Sequence, residues 1–184
     1  RRQVDHHLAR AHTAASGRTL GVRTPVIPAV PALKRALERI YVGRALTISI
    51  EAIDGAVFRG QRPDLEEVLG HLMETGCKWA RSRVTVTVSL EEGRIVLTFD
   101  DDGPGLDLKQ RTQVLERGMR LDENAPGSGL GLAIVRDIVT AYGGKFLLAD
   151  SPLGGLRATV ALPAADEEEK RRRVRRRSVR SPAE

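Results

Sequence analysis

Three segments of the chain combine residue types and spacings that could bind a nucleotide. The first is a polar stripe on the helix predicted over residues 64–80, opposite its apolar face. Its members recur every three or four positions: Glu67, His71, Glu74 or Thr75, and Lys78. A pocket beside the stripe would meet a carboxylate, an imidazole, a hydroxyl and an ammonium group in a row. Taken alone, the stripe is more typical of an ordinary solvated helix face.

The second segment runs from Asp100 to Leu106, with the sequence Asp-Asp-Asp-Gly-Pro-Gly-Leu, directly after a predicted strand. A carboxylate at the end of a buried strand can accept a hydrogen bond from an exocyclic amine, and the glycines let the backbone approach a flat ring. An acidic turn is the alternative interpretation. A calcium loop is disfavoured because the aspartates are consecutive rather than alternating and no glutamate closes the loop at the expected distance.

The third segment is the glycine-rich sequence of residues 127–132, at the start of a predicted helix. Glycines at a helix N-terminus expose amides and the positive end of the helix dipole, which suits a phosphate. Arg117 and Arg120 lie upstream and could fold over that phosphate. The segment is neither a Walker A loop, since no Gly-Lys-Ser/Thr follows, nor a Rossmann turn, since no strand directly precedes it.

Hydrophobic periodicity predicts the elements that position these segments. Helices are expected over residues 1–16, 32–42, 64–80 and about 129–142, and strands over 46–51, 84–90, 94–100, 144–150 and 156–162. Their order predicts an α/β sandwich with helices packed on one face of a mixed sheet.

Local signals add detail to this prediction. Residues 56–59 are expected to pair with 46–51 across an Asp54-Gly55 turn. Asp64 is expected to cap the helix over 64–80, with Glu67 as its capping-box partner. The core face of that helix should consist of Leu65, Val68, Leu69, Leu72, Met73 and Gly76.

Composition limits the classes of protein that the chain could belong to. With 184 residues, 41% of them hydrophobic, the chain suits one domain with short appendages. The single cysteine, Cys77, excludes an internal disulfide and fits a reducing cytoplasm, and the four histidines show no zinc-site spacing. No apolar run approaches the roughly 20 residues that span a bilayer, and no signal peptide follows Arg1. We therefore expect a soluble portion of a longer protein.

The formal net charge of +6 is concentrated in a C-terminal tail. Eight lysines and arginines fall between residues 170 and 180, which leaves residues 1–169 close to neutral. Such a tail could contact nucleic acid or an anionic membrane. A disordered, solvated terminus is the favoured interpretation, and nucleic acid is an unlikely partner.

The order of the three segments resembles the catalytic ATP-binding domain of sensor histidine kinases, whose fold is shared with DNA gyrase B, MutL and a heat-shock chaperone. The resemblance covers roughly residues 25–163 and is carried by EVLGHLMETGCKWA, DDGPGL, RGMRLD, PGSGLGLA and SPLGGLRATV. It implies the Bergerat fold, a two-layer α/β (α+β) sandwich with a mixed, largely antiparallel sheet of about five strands on three helices. It also divides the chain into the end of a dimerisation-domain helix (1–20), the catalytic ATP-binding domain (25–165) and a charged basic tail expected to be disordered (166–184).

The resemblance also implies roles for individual residues. Asp101 would accept the adenine amino group, with Gly103, Gly105 and Leu106 on that side of the pocket. Lys78 would reach the phosphates, Trp79 would lie beside the nucleotide, and Glu67 would act as general base or polarising group. Arg117 and Arg120 would belong to a lid over the phosphates. The lid and the helix start that would present amides to the phosphates comprise Gly127, Ser128, Gly129, Leu130, Gly131 and Leu132.

The chain departs from the family pattern where the family holds magnesium. Two asparagines of the motif Asn-x-x-x-Asn-Ala are replaced by His71 and Thr75, and Ser128 stands where a kinase of this type has a lid glutamine. These three residues are the candidate metal ligands, although imidazole suits magnesium poorly. A hydrogen bond from His71 to Glu67 or Glu74 is the favoured alternative to a metal role.

Two functions therefore remain open. One is an ATP-dependent kinase domain that transfers the γ-phosphoryl group to a histidine outside this chain. The other is a degenerate domain, with impaired binding of magnesium and ATP, that acts as a regulatory or dimerising module.

The resemblance finally implies ligands, partners and a location. The ligands would be ATP or ADP, with magnesium in doubt. The partners would be the dimerisation domain of the same receptor, a response regulator, and a second copy in a full-length homodimer. The location would be the cytoplasmic portion of a bacterial inner-membrane receptor.

Overall fold

A computed structural model describes residues 22–116 and 129–165. Within these ranges the elements follow in this order: β1 (Thr24–Pro25), α1 (Ala29–Ile40), β2 (Thr47–Ala52), β3 (Val57–Phe58), α2 (Arg62–Trp79), β4 (Arg83–Glu91), β5 (Arg94–Asp101), α3 (Leu108–Gln113), α4 (Gly131–Ala141), β6 (Lys145–Asp150) and β7 (Leu156–Pro163). A 3₁₀ turn over Val42–Arg44 joins α1 to β2. The helix predicted over residues 1–16 and the basic tail lie outside the described residues.

Five strands form one mixed sheet in the order β2-β4-β5-β7-β6. The β2–β4 pair is parallel, and the other three pairs are antiparallel. The turn between β4 and β5 places Glu92 and Gly93 at φ angles of 46° and 75°, the conformation that a tight hairpin requires. The predicted mixed, largely antiparallel sheet is confirmed.

The core lies between one face of this sheet and helices α1, α2 and α4. Strand β4 shows the expected alternation, because its valines at 84, 86 and 88 are buried while Thr85 and Thr87 on the other face are half-buried. The predicted apolar face of α2 is buried as well, from Leu65 to Gly76. Each large side chain buried in this way contributes about 1.5–3 kcal/mol to folding. The predicted arrangement, with the helices packed on one face of the sheet, is thus confirmed.

The predicted pairing of residues 56–59 with 46–51 is wrong. Strand β3 pairs instead with β1, where Phe58 lies opposite Thr24 in a separate two-stranded sheet. The Phe58 ring is fully buried and meets the Tyr142 ring edge-on, with 4.8 Å between the centroids. Burial of this ring beneath the helical layer draws β3 away from β2.

The predicted cap of α2 is also wrong. The helix begins at Arg62, its N-cap residue is Gln61, and no side chain caps it. Because proline is tolerated in the first turn of a helix, Pro63 lets the helix start earlier than expected. Asp64 is buried instead, and it accepts a hydrogen bond of 2.5 Å from the Tyr142 hydroxyl, which in turn accepts one of 3.2 Å from the Gln61 amide.

A short helix, α3, lies between β5 and α4, where no helix was predicted. Its N-terminus carries a complete capping box: the Gln110 amide donates to Asp107, and the Asp107 amide donates to the Gln110 side chain. The Asp-x-x-Gln spacing of this box is a signal that the sequence contains. In the part of the chain that the structure describes, no helix has the length and hydropathy to cross a membrane.

Candidate functional site

Asp101, the last residue of β5, is a buried carboxylate with only one of its oxygens engaged. Its side chain is 4% exposed. The Oδ1 atom accepts hydrogen bonds from the amides of Gly103 (2.8 Å) and Leu156 (3.1 Å), and the Gly155 amide donates to the Asp101 carbonyl. No residue within 22–116 or 129–165 donates to Oδ2. The arrangement holds the carboxylate rigidly and leaves one oxygen for a donor from a ligand.

Burial raises the pKa of Asp101 above its ordinary value. The amides of Gly103 and Leu156 act in the opposite direction, and the neighbouring charges of Asp102 and Asp100 add to the rise. A ligand amine that donates to Oδ2 would restore part of the solvation that burial removed. This environment favours a ligand that offers a hydrogen-bond donor.

The other two aspartates of the run are already engaged. Asp100 points to the opposite face of the sheet and forms a two-pronged ion pair with Arg157, with distances of 2.9 and 2.8 Å. This hydrogen-bonded pair raises the pKa of Arg157. Asp102 accepts hydrogen bonds from the backbone that follows α2. Of the three carboxylates, Asp101 is therefore the one available to accept a hydrogen bond from a nucleobase.

Close backbone contacts bring the loop after β5 against two other segments. An added Cβ would lie 2.5 Å from the Trp79 carbonyl oxygen at Gly103, and 2.1 Å from Asp101 Oδ1 at Gly155. Gly105 has a φ angle of +69°, and a Cβ there would meet the Gly155 carbonyl at 3.2 Å. No larger residue fits these positions without displacing the backbone. Gly155 was not among the predicted site residues, although the Gly154-Gly155 pair is visible in the sequence.

The polar stripe of α2 lies beside the start of α4, so the first and third segments meet. A Cβ on Gly131 would lie 3.2 Å from His71 Nδ1. His71 Nε2 lies 3.8 Å from a carboxylate oxygen of Glu67, which is longer than a hydrogen bond. The Thr75 hydroxyl donates to the His71 carbonyl at 2.7 Å. At His71 the stripe thus lies beside the start of α4, where phosphate binding was predicted.

Lys78 and Trp79 form the end of α2 nearest the loop after β5. The Lys78 ammonium lies 4.8 Å from the centroid of the Trp79 ring, a cation–π distance. The Trp79 side chain is 36% exposed, and its carbonyl abuts Gly103. The backbone at the end of α2, which carries this aromatic side chain and this cation, therefore lies against the loop that carries Asp101.

The positions of the remaining predicted residues say little about a role in ligand binding. Gly129 has a φ angle of +71° before α4, and Leu130 is exposed. Leu132 packs against the core, while the Leu106 carbonyl accepts a hydrogen bond from Arg111. Four predicted residues lie outside the described residues: Arg117, Arg120, Gly127 and Ser128.

The two described side chains at the expected metal position, those of His71 and Thr75, do not fit magnesium. This ion requires about six oxygen ligands in octahedral geometry. Among the described residues the position offers the His71 imidazole and a Thr75 hydroxyl that donates its proton to the helix backbone, while Ser128 lies outside the described residues. Nowhere in residues 22–116 and 129–165 do three or more His, Cys, Asp or Glu side chains form a group able to hold a metal ion.

Asp102 is a site-proximal residue to which the sequence analysis assigned no role. Its carboxylate accepts from the amides of Arg81 (2.8 Å), Ser82 (3.0 Å) and Arg83 (3.1 Å), and from the Ser82 hydroxyl (2.6 Å). Burial alone would raise its pKa, but the hydrogen bonds from Ser82, Arg83 and Arg81 outweigh that effect and hold the pKa well below its usual range. Asp102 therefore remains ionised under physiological conditions.

Arg44 binds the end of α2 from the other direction. Its guanidinium donates to the carbonyls of Cys77 (2.9 Å), Lys78 (2.8 Å) and Ala80 (2.5 Å), three groups that the helix leaves unpaired. Its positive charge also complements the negative end of the helix dipole. Arg44 belongs to none of the motifs, so this role could not be predicted from the sequence.

Cys77 lies under the same end of α2. Its thiol is fully buried, and burial raises its pKa to about 11 despite the nearby Arg44. The side chain is therefore a neutral thiol that packs as an apolar group.

Comparisons with known proteins agree with this geometry. Residues 60–166 match the family described as histidine kinase-, DNA gyrase B-, and HSP90-like ATPase. Over 134 residues the chain is 51% identical to the sensor protein kinase CarS of Pseudomonas aeruginosa. This alignment covers 73% of the chain and 30% of CarS. The chain is 34% identical over 160 residues to the sensor protein PhoQ of Escherichia coli, covering 86% and 32%. The chain thus spans about a third of the length of these relatives.

Solved structures show the same fold. The mycobacterial sensor histidine kinase MprB aligns with a TM-score of 0.69 at 24% identity, over 78% of this chain and 98% of that one. Full-length ShkA in complex with AMPPNP aligns with a TM-score of 0.67 at 24% identity, over 88% of this chain and 35% of that one.

Proposed function

Since the chain belongs to the histidine kinase-, DNA gyrase B- and HSP90-like ATPase family and is the ATPase domain of a sensor kinase, we propose that it binds ATP around Asp101 and transfers the γ-phosphoryl group to a histidine outside this chain. The observation that carries the proposal is the Asp101 carboxylate, with Oδ1 held by two amides and Oδ2 left for a ligand. Neither the family match nor the relatives favour a degenerate domain.

Adenine recognition follows from the chemistry of the proposed site. The exocyclic amine would donate to Asp101 Oδ2, and the Trp79 ring would cover one side of the base. Gly103 and Gly105 would let the backbone approach the ring closely. A base with a carbonyl in place of the amine would face the carboxylate with an acceptor, so the site should discriminate against it.

The phosphates would lie between the end of the α2 stripe and the start of α4. Lys78 supplies a positive charge, and the amides at the start of α4 supply hydrogen-bond donors together with the positive end of the dipole. Arg117, Arg120 and the lid around Gly127 and Ser128 would complete the phosphate contacts.

The transfer step is an in-line displacement at the γ-phosphorus. A ring nitrogen of the acceptor histidine donates its lone pair to phosphorus, and the bond to the β,γ-bridging oxygen breaks, so that ADP leaves with that electron pair. Glu67, exposed on the stripe, would accept a hydrogen bond from the opposite ring N–H of the acceptor and so increase its nucleophilicity. Because His71 and Thr75 do not form an oxygen ligand set, no part of this step is assigned to a metal held by them.

The proposal extends to the partners of the domain. The acceptor histidine would belong to the dimerisation domain of the same receptor, which would act as a homodimer in the cytoplasm and pass the phosphoryl group to a response regulator. Support comes from the relatives, because the chain matches only 30% and 32% of two sensor proteins and leaves room for such segments.

Calorimetric titration with ATP and ADP, with and without magnesium, tests the binding proposal. The Asp101→Asn variant should bind ADP about 10- to 100-fold more weakly than the wild type, since it loses a charge-assisted hydrogen bond. Asp54→Asn makes the same chemical change on an exposed turn and should leave affinity unchanged. Equal ADP affinity in all three proteins would contradict the assignment. Transfer itself is tested in the full receptor, where Glu67→Gln should slow phosphorylation without weakening ADP binding.

A further inference from the structure

Two side chains of opposite charge bind residues 77–83, which we call the α2–β4 junction. The junction comprises the last three residues of α2, the connection after them and the first residue of β4. Arg44 takes up the carbonyls of its first half, and Asp102 takes up the amides of its second half. Every hydrogen bond to the Asp102 carboxylate is 3.1 Å or shorter, and three of its donors are consecutive backbone amides. The position of the junction is therefore determined by the loop after β5 and not by the helix alone.

The junction carries groups that the nucleotide would meet. Lys78 and Trp79 lie within it, and the Trp79 carbonyl touches the backbone at Gly103 with no room for a methyl group between them. Asp102 directly follows Asp101 in sequence, so the residue that would read the base and the residue that holds the junction belong to one rigid turn. A shift in either is transmitted to the other.

We propose that Asp102 is a positioning residue for the nucleotide site: by binding the amides of residues 81–83 it fixes the Trp79 side of the site relative to the Asp101 carboxylate. The proposal rests on the proposed function for the assignment of Asp101 to the base. Asp102 does not itself touch the nucleotide. It sets the distance between the Trp79 side chain and the Asp101 Oδ2 atom, and recognition of an exocyclic amine depends on this distance.

An Asp102→Asn variant isolates this role. The carboxamide keeps the shape of the side chain, but one of its two acceptor atoms becomes an NH₂ group that opposes the donors on Ser82. The junction should then move away from the loop while the core of the domain is untouched. Asp54→Asn serves as the matched control because Asp54 lies on the exposed turn between β2 and β3.

Two measurements report on the junction independently. Trp79 is the single tryptophan of the chain, so its fluorescence emission and anisotropy report on the junction without any ligand. Calorimetric titration with ADP and with inosine diphosphate, which has a carbonyl in place of the amine, reports on recognition of the base. A residue that serves folding alone would change the melting temperature but not the ratio of the two affinities.

We expect Asp102→Asn to shift the Trp79 emission and to lower the ADP preference over inosine diphosphate about tenfold, with inosine diphosphate affinity changed less than about threefold. Ser82→Ala, which removes one hydrogen bond, should act in the same direction to a smaller extent and replaces Asp102→Asn if that variant does not fold. Unchanged Trp79 emission, or an equal loss for both nucleotides, would overturn the proposal. A wild type without preference for ADP would instead refute the role of Asp101, and the emission of Trp79 would still decide whether Asp102 holds the junction.

Discussion

Replacing Tyr142 with phenylalanine should lower the free energy of unfolding by about 2 kcal/mol, because it removes the hydroxyl that donates to the buried carboxylate of Asp64. Asp64 lies in the first turn of α2, where its side chain is nearly inaccessible to water. Without the donor, the Asp64 carboxylate stays shielded from water but loses this hydrogen bond, which costs free energy.

The magnitude follows from what the substitution removes and what it leaves. A hydrogen bond to a charged group contributes about 1.5–3 kcal/mol, and the Gln61 amide also loses its acceptor. The aromatic contact with Phe58, at 4.8 Å between centroids, is retained because phenylalanine keeps the ring. For a domain of this size, 2 kcal/mol corresponds to a fall of about 4–8 °C in the melting temperature.

Thermal and urea denaturation followed by circular dichroism would measure this loss. The chain offers a matched control, since Tyr41 is its other tyrosine and is half-exposed. Tyr41→Phe keeps the ring below the Arg44 guanidinium and should change stability by less than about 0.5 kcal/mol. A double-mutant cycle with Asp64→Ala should give a coupling energy of at least about 1 kcal/mol between the two residues.

Equal melting temperatures for Tyr142→Phe and Tyr41→Phe would refute the reasoning. That result would mean that water replaces the hydroxyl beside Asp64 at no cost, and hence that this end of α2 is open to solvent. A coupling energy near zero, with both single variants destabilised, would place the loss in packing and not in the hydrogen bond.

Three further predictions concern the site itself. ADP affinity should fall as the pH is lowered through the raised pKa of Asp101, at a pH above the ordinary aspartate range. The reason is that only the ionised carboxylate is purely a hydrogen-bond acceptor. Calorimetry across pH would show the fall, and the Asp101→Asn variant should lack it. The difference in melting temperature between wild type and Asp102→Asn should be complete above about pH 4 and should narrow as the pH falls further, because a carboxyl group with a lowered pKa stabilises the fold only while it is ionised. Thermal scans at several pH values test this, and a difference independent of pH would argue against it. Replacing His71 and Thr75 together by asparagine should increase the effect of magnesium on ADP affinity about tenfold, since amide oxygens suit this ion. Titration in magnesium and in a chelator provides the comparison, and no gain would mean that the missing oxygens do not limit metal binding.

Periodicity was sufficient to predict the parts of the fold that depend on local burial. The apolar face of α2 repeats at helical spacing, and β4 alternates valine with threonine, so each pattern specifies both the element and its buried side. The hairpin of β4 and β5 was predictable because a short turn leaves few alternatives for the pairing of its strands.

Partners that are distant in sequence could not be predicted in the same way. Alternation in β2 indicates a strand but not its neighbour, and the structure pairs Ile48 with Val84 in a parallel arrangement. Strand β3 was assigned to the nearest strand in sequence, whereas burial of Phe58 decides its position. Asp64 has the sequence signature of a cap, and only the approach of Tyr142, 78 residues away, gives its carboxylate another partner.

The candidate site shows the same division. The motifs indicated the three segments and the position of Asp101, because glycines and aspartates at fixed spacing leave a visible pattern. The supporting contacts leave none: Arg44 reaches the end of α2 from outside every motif, and Gly155 meets Asp101 only because β5 and β7 are neighbours.

Because Cys77 is buried, the rate at which its thiol is alkylated can be used to measure opening of the end of α2. Alkylating reagents attack the thiolate, and a buried thiol with a pKa of about 11 offers almost none in the folded state. Alkylation therefore proceeds through molecules in which the end of α2 has opened, so its rate measures how often that opening occurs. Arg44 holds the Cys77 carbonyl, and the neighbouring Lys78 lies in the candidate site. A bound nucleotide that keeps this end of α2 closed would slow alkylation of Cys77, so the alkylation rate reports on occupancy of the site.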